Sequence, residues 1–487
     1  MSAAAGVAQG GTGAAEPDAQ YRRLVFPSDY RNPSPADRYD LVVIGAGPAG
    51  LVTSITAASL GARVALVERR AMGGDCLNVG CVPSKTLLAA AAAGLSYDAA
   101  VERVRSVRTR IAHHDSVERY TGSGVAVFLG EAVFEAAHRV RVGQTVLNTR
   151  RTVIATGARA VLPPIPGLAD IAPLTYETVF EQRTLPRSLA VLGAGAIGCE
   201  LAQAFARLGS RVELIERAHQ ILPAEATQAV RLIAAALARD GVTLHLGATV
   251  QSAVRTAAGK TLMLADGRRI VADEVLVAAG RCRNVDGLGL ERAGVNLDAR
   301  AMIAVDVHLR TSHPHIYAAG DVCSAHPFTH AADAHARIVI RNALFGGRGR
   351  VDRLVVPRCV YTRPELAQVG AGVCELERAG RRFERHRVDW GQLDRGATDD
   401  ADDGFVEVLA DGRGRILGAT LVGRDAGEQI APLVVLMSRR VALGSLGSLV
   451  LPYPTRSEYL RRVADAHVRG RLTPRVAGWL RWWLRRG

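Results

Sequence analysis

The first strongly patterned stretch of the chain is Leu41-Val42-Val43-Ile44, a continuous apolar run of the kind shown by a strand buried on both faces. Gly45-Ala46-Gly47-Pro48-Ala49-Gly50 follows at once and leads into small residues that read as a helix. A second apolar run, Arg63-Val64-Ala65-Leu66-Val67-Glu68, ends in a carboxylate. The whole pattern recurs: Gly193, Gly195, Gly198 and Glu216 repeat Gly45, Gly47, Gly50 and Glu68 at one constant offset, and Leu60-Gly61 and Arg63-Val64 return as Leu208-Gly209 and Arg211-Val212. Each copy is a strand, a G-x-G-x-x-G turn, a helix and a strand ending in an acid. The glycines permit a tight turn and close approach to a pyrophosphate, the helix N-terminus receives its charge, and the glutamate reaches a ribose hydroxyl. Two copies in register imply two bound dinucleotides on two domains.

Beyond these units the period changes. Phe405-Val406-Glu407-Val408-Leu409 and Ile416–Gly423 alternate like antiparallel strands, with helices after them. Pro163-Pro164-Ile165-Pro166-Gly167 reads as a hinge-like boundary. Residues 1 to about 20 are small and aperiodic and read as disordered. Tyr21, Leu24, Phe26 and Tyr30 then mark an arm packed on the surface. After Thr473-Pro474, a good helix entry, Val476, Trp479, Leu480, Trp483 and Leu484 share one face while Arg475, Arg481 and Arg485 lie elsewhere. Such a basic amphipathic tail docks on its own dimer or makes peripheral contact with an anionic membrane.

Length and charge narrow the classes. A chain of 487 residues exceeds one core and should form about two to four domains. The net charge of +14 comes from scattered residues, almost all arginine, with no recognition motif, so a solvated basic surface is expected and no nucleic acid. Lys85 and Lys260 are the only lysines. Seven cysteines are too few and too uneven for a secreted disulfide framework, and a pair that must cycle suits a reducing compartment, so a cytoplasmic location is expected. Neither a signal peptide nor an apolar run of about twenty residues is visible.

The sharpest chemistry lies in Gly73-Gly74-Asp75-Cys76-Leu77-Asn78-Val79-Gly80-Cys81-Val82-Pro83-Ser84-Lys85. Four residues between the cysteines suit one helical turn plus its entry loop, so the sulfurs can close into a disulfide or open into a dithiol with little backbone motion. A helix N-terminus and Lys85 should lower a cysteine pKa here, with Asp75 acting the other way. Cys199, Cys282, Cys323, Cys359 and Cys374 read as packing residues. His326, His330 and His335 fall close together, but no carboxylate completes a ligand pattern and no metal site is expected.

With Ala155-Thr156-Gly157-Ala158-Arg159, Ala279-Gly280-Arg281, Ile316 through Val322 and Tyr453-Pro454-Thr455-Arg456-Ser457-Glu458 in order, the chain resembles the flavin-dependent pyridine nucleotide-disulfide oxidoreductases over about residues 38 to 465. That family includes dihydrolipoyl dehydrogenase, glutathione reductase and mercuric reductase. The resemblance implies an α/β fold with two Rossmann-like dinucleotide-binding domains and an α+β C-terminal dimerisation domain. The expected division is an extension over 1–37, an FAD-binding domain over 38–165 and 284–348, an NAD(P)-binding domain over 166–283, a dimerisation domain over 349–467 and the tail over 468–487. FAD would be held by Gly45, Gly47, Gly50, Glu68, Gly157, Gly320 and Asp321, and the nicotinamide nucleotide by Gly193, Gly195, Gly198, Glu216, Gly280 and Arg281. Glu216 favours NADH, while Arg211 and Arg217 keep NADPH as the alternative.

By the same resemblance, Cys81 faces the flavin, Cys76 faces outward and attacks the substrate, and Lys85 pairs with Glu200. In a homodimer, Tyr453 and Glu458 reach the cysteine pair of the other subunit. The chain departs from its disulfide-reducing relatives at Tyr453, where they carry a histidine that handles the leaving thiol's proton. Mercuric reductases also have tyrosine there, but they end in a cysteine pair and often begin with a metal-binding domain, whereas this sequence ends Trp482-Trp483-Leu484-Arg485-Arg486-Gly487. The acceptor therefore stays open among a disulfide, a metal ion and a quinone-like molecule, with mercury(II) reduction proper or a redox-sensing flavoprotein without turnover as alternatives.

Overall fold

Continuous apolar strands demand a sheet covered on both faces. In the computed structural model, which describes residues 16–400 and 403–486, Leu41–Ile44 pairs in parallel with Val64–Glu68 on one side and Thr152–Ile154 on the other. Ile316–Ala318 and Val125–Leu129 complete a five-stranded parallel sheet at its two edges. The first strand is the point where connections leave to opposite sides, so the turns after residues 44, 68, 154 and 318 gather at one carboxyl edge.

The chain divides into two compact units. The first comprises the described residues up to Ala90 together with Asp98–Arg159 and Cys282–Val351; the second comprises Ala91–Tyr97, Ala160–Arg281 and the chain from Asp352 on. These breaks fall a few residues from those expected, and the stretches read as nicotinamide and dimerisation domains belong to one unit. The bonds that tie them are specific. The Gln203 side chain donates to the Arg363 carbonyl at 2.8 Å and accepts from its N–H at 2.7 Å, and Arg358 meets Glu225 at 2.6 Å.

In the second unit Val242–Leu246, Arg211–Glu216, Ser188–Leu192, Glu274–Val277 and Leu174–Thr175 form another parallel sheet, which repeats the first around its glycine loop. A separate antiparallel sheet runs Arg358–Val360, Glu365–Gly370, Ile416–Gly423, Phe405–Ala410, Glu384–Asp389, and the helix Tyr459–Gly470 shares its core through Leu460, Val463 and Ala464. The architecture is the α/β arrangement expected. Lys260 is structural here: its ammonium donates to the Ala172 carbonyl at 2.9 Å and pairs with Glu274.

One expectation fails at the N-terminus. Composition read residues up to about 20 as disordered, but Glu16–Val25 is a helix; residues 1–15 lie outside those described. Tyr21 and Val25 are buried in the first unit's core, Asp18 faces Arg105 and Arg108 at 3.7 and 3.8 Å, and the Arg108 guanidinium lies 4.3 Å over the Tyr21 ring. Tertiary burial at three positions outweighs a weak local pattern. The arm beyond it straps the edge strand, with Tyr30 donating to the Val127 carbonyl and Asn32 bonding both the N–H and the carbonyl of Leu129. At the other end, Thr473 caps the helix Pro474–Leu484, which buries none of its residues in the single chain. Among the described residues no helix is long and apolar enough to cross a membrane.

The Tyr21 hydroxyl donates to Asn78, so this helix braces the cysteine segment. Tyr21→Ala is expected to destabilise the first unit by about 3 kcal/mol in chemical denaturation. Phe26→Ala, at an exposed position, should change it by less than about 0.5 kcal/mol.

Candidate active site

The two glycine loops are built alike. Gly45 turns at φ +103°, where a Cβ would stand 2.4 Å from the Ala155 carbonyl oxygen; Gly193 turns at +104°, 2.7 Å from that of Ala278. A Cβ on Gly50 would lie 1.8 Å from the Gly45 oxygen, and one on Gly198 would lie 1.9 Å from the Gly193 oxygen. Backbone packing therefore requires all four. The middle glycines differ. Gly47 at φ −76° would place a Cβ no nearer than 3.8 Å to Gly74, and Gly195 at −72° would meet nothing within 4 Å. Protein packing gives no reason for glycine at either position, whereas a pyrophosphate that must approach the backbone does. The helices Pro48–Ser59 and Ala196–Arg207 begin with no side-chain cap, which leaves their first amides to face an anion. The residues thus fit a bound dinucleotide at each loop.

The two acids follow the same logic. Glu68 accepts from the Ala46 and Arg70 N–H groups, both at 2.7 Å, and Glu216 from those of Ala194 at 2.8 Å and Ala218 at 2.9 Å. Each carboxylate fixes its loop and retains lone pairs for a ribose hydroxyl. Burial pushes the Glu68 carboxyl up, against the pull of those N–H donors.

Further along the first carboxyl edge, Thr156 and Asn284 exchange hydrogen bonds at 2.7 and 2.8 Å beside Gly157, and Arg159 reaches Asp286 at 2.7 Å. Gly320, at φ +78°, and Asp321 follow the Ile316–Ala318 strand, and the Gly320 N–H donates to His335 Nδ1 at 3.3 Å. His335 thereby fixes the turn at Gly320. In the second unit Gly280 takes φ +137°, and Arg281 lies 5.3 Å over the Tyr176 ring while donating to its hydroxyl at 3.2 Å.

Two glycines bring the cysteines to the first loop. A Cβ on Gly74 would stand 2.5 Å from the Gly47 α-carbon, so the segment after Gly73 lies directly on the nucleotide turn. Cys76 sits in the short helix Gly74–Asn78, and Cys81 is the first residue of the helix Cys81–Ala92. Gly80 closes the turn between them, since a Cβ there would be 2.8 Å from the Asp75 carbonyl oxygen and 3.3 Å from the Cys76 α-carbon. Both cysteines are free thiols, with Cys81 Sγ 3.5 Å from the Thr329 hydroxyl. The Cys76 thiol is pushed well above the ordinary range, first by its hydrogen bond to Cys81, then by burial. The lowering expected from a helix terminus and Lys85 does not win at Cys76. Cys81, at the head of its helix, is exposed, and Cys76 is half-buried.

Lys85 lies one turn into the Cys81 helix of the first unit. Glu200 is buried in the second, where it accepts from the Tyr361 N–H at 2.9 Å. Tyr453 is exposed, and its hydroxyl donates to Asp394, which raises the phenol above the usual tyrosine range. Glu458 is buried at the start of the Tyr459–Gly470 helix; Oε1 accepts from Arg462 at 3.0 Å, and Oε2 has no hydrogen-bond partner among the described residues.

Residues 39–337 match the pyridine nucleotide-disulphide oxidoreductase family and residues 356–464 match its dimerisation domain. The chain belongs to this family. It is 34% identical over 452 residues to a dihydrolipoyl dehydrogenase of Thermus scotoductus, covering 88% of this chain and 97% of that one. It is 33% identical over 454 residues to a mercuric reductase of Streptomyces lividans, covering 88% and 96%. Among solved structures, the Cu(II) complex of the HOCl-induced flavoprotein disulfide reductase RclA from Escherichia coli aligns with a TM-score of 0.82 at 28% identity, covering 88% of this chain and 100% of that one. LpdA from Mycobacterium tuberculosis aligns at 0.81 and 26%, covering 89% and 99%. The protein is an FAD-dependent NAD(P)H oxidoreductase, and its dimerisation domain supports a homodimer.

Burial holds the His335 imidazole below its ordinary pKa of 6.5. The unfolded chain takes up that proton as pH falls through about 6.5 and the folded chain resists it, so stability is lost on the acid side. Thermal unfolding between about pH 7.5 and 5.5 should show a steeper acid-side loss in the wild type than in His335→Asn. Equal slopes would remove His335 from this role.

Proposed function

We propose that this oxidoreductase passes electrons from NADH to a soft, thiophilic metal ion at the Cys76–Cys81 pair. The observation that carries the reading is the Tyr453 phenol, which donates to Asp394 and is raised above the tyrosine range. Reducing a disulfide releases a thiolate that needs a proton, and the disulfide-reducing members of the family supply it from a histidine at this position. A phenol with pKa above ~10 does not exchange that proton readily near neutral pH. A metal ion makes no such demand. One NADH supplies two electrons and leaves NAD⁺ and a proton; those electrons reduce one Hg(II) to the metal or two Cu(II) to Cu(I). Relatives named mercuric reductases and the Cu(II) complex of RclA support this acceptor class.

FAD, when bound, supplies the two-electron relay between the nicotinamide and the cysteines. The chain's residues do the rest. Gly45, Gly47, Gly50, Glu68, Gly157, Gly320 and Asp321 would hold FAD, and Gly193, Gly195, Gly198, Gly280 and Arg281 would hold the nicotinamide nucleotide. Cys81 and Cys76, its hydrogen-bonded neighbour, provide two sulfurs close together, a seat suited to a soft cation. In the homodimer Tyr453 and Glu458 would serve the partner's cysteine pair. Glu216 would accept from the ribose 2′-hydroxyl of NADH and repel a 2′-phosphate.

NADH oxidation should be followed with Hg(II) in excess thiol, Cu(II), lipoamide, oxidised glutathione and a quinone. The expected result is sustained turnover with a metal ion that falls to background in Cys76→Ser. Turnover with lipoamide or glutathione alone would restore the disulfide reading. Activity only with the quinone, surviving the substitution, would make the protein a flavin diaphorase, and a halt after about one reducing equivalent per flavin would make it a sensor.

With the best acceptor, kcat/KM should favour NADH, and Glu216→Ala should narrow the preference. Equal or faster turnover with NADPH in the wild type would sink the Glu216 argument.

A further inference from the structure

The second unit contains a side-chain cluster that this reaction does not use. The strand Glu384–Asp389 lies at the edge of the antiparallel sheet, and its side chains alternate. Arg385 and Arg387 point one way, to Glu407 and to the Phe405 ring, while His386 and Val388 are buried on the other face. Facing them, the Tyr459–Gly470 helix presents Leu460, Val463, Ala464 and His467, an inward stripe at helical spacing whose last member is a histidine only 1% exposed.

His467 Nδ1 lies 2.9 Å from Glu384 Oε2, and His386 Nε2 lies 3.3 Å from the same oxygen. The two imidazoles meet at 84° with centroids 5.2 Å apart. Among the described residues this is the one group of three potential ligands whose donor atoms all lie within 4.8 Å of one another. Hydrogen bonding leaves it incomplete: His386 Nε2 has only the 3.3 Å contact to Glu384, and His467 Nε2 is buried with no hydrogen-bond partner among the described residues. Gly414 closes over the latter, where a Cβ would stand 2.9 Å from Nε2. A cation resolves the geometry at His386. Ligands ~2.0–2.1 Å from a tetrahedral zinc ion are about 3.3 Å apart, which is the separation of His386 Nε2 and Glu384 Oε2.

We propose that Glu384, His386 and His467 form a metal site for a divalent transition ion of the zinc class, bound through two imidazole nitrogens and a carboxylate oxygen with water in the fourth position. The nitrogen and oxygen donors suit zinc, nickel or copper(II) rather than the softer ions that thiolates select. The ion takes the place of the proton between His467 and Glu384 and pins the far end of the helix to the sheet edge. Glu458 begins that helix, so the ion also fixes the element that carries it. The site shares no residue with the cysteine pair and does not depend on which acceptor the enzyme uses.

The test uses the full-length flavoprotein stripped with EDTA, its Cys76–Cys81 pair kept as the disulfide, and titrated with Co(II) as a coloured stand-in for zinc. One equivalent per chain should bind with the visible bands of four-coordinate cobalt and no thiolate charge-transfer band, and zinc should raise the unfolding temperature. Both effects should disappear in Glu384→Gln and His386→Gln. The Glu384 side chain is 44% exposed, so its variant retains the fold and separates loss of a ligand from misfolding. Absence of saturable binding, a thiolate-cobalt band, or equal binding in both variants would overturn the proposal and leave a hydrogen-bonded pair of histidines.

Discussion

Between the Gly45 carbonyl oxygen and the Gly50 α-carbon there is no room for a methyl group, since a Cβ on Gly50 would stand 1.8 Å from that oxygen. The closeness of this helix to the strand it follows sets the rest of the site. It aims the amides at the start of Pro48–Ser59 out of the sheet's carboxyl edge, and it turns the Ala46 N–H toward the Glu68 carboxylate at the end of the next strand. Gly74 packs against the Gly47 backbone, so the cysteine segment takes its position from the glycine loop itself. A redox pair placed this way is referenced to the cofactor-binding turn through backbone contacts, which are stiffer than side-chain packing.

The second copy keeps the geometry and changes what hangs on it. Gly193, Gly198, Ala194 and Glu216 reproduce the contacts of Gly45, Gly50, Ala46 and Glu68 within a few tenths of an ångström. After Glu216, however, the chain runs on to Arg217 and Ala218 and carries no cysteine motif. One loop therefore sits beside a dithiol and the other only binds. Duplication explains the shared geometry, and the Gly73-Gly74 insertion point explains the division of labour.

What could be read from residues alone was what is local in sequence: two glycine loops, their strands and acids, and the spacing of Cys76 and Cys81. Those features are fixed by backbone sterics over a few residues, so they leave a mark in the alphabet. The rest depends on contacts between distant segments. The helix around Tyr21 leaves little local mark in the sequence, because its support comes from Arg108 and Asn78. His335 stood in a cluster of histidines read for metal and dismissed, yet its work is to accept from the Gly320 N–H. The need for glycine at position 80 comes from the Asp75 carbonyl behind it, a contact that the sequence does not display. Glu384, His386 and His467 are too far apart in the chain for any ligand spacing to suggest them. The Cys76 pKa was misjudged for a related reason: the fields of a helix terminus and a lysine were weighed, and the neighbouring thiol, at hydrogen-bond range, outweighs them.

That thiol contact also bears on the choice of acceptor. The contact with the neighbouring sulfur and burial hold the Cys76 thiol in its protonated form, so the two sulfurs of the pair are not equivalent. Under the proposed reading, returning a proton to a departing thiol would fall to Tyr453, whose hydroxyl donates to Asp394. Protons and electrons would then be handled by different parts of the chain, and Tyr453 is where the sequence departs from the disulfide-reducing pattern. An acceptor whose reduction consumes electrons alone is the one the proposal therefore selects.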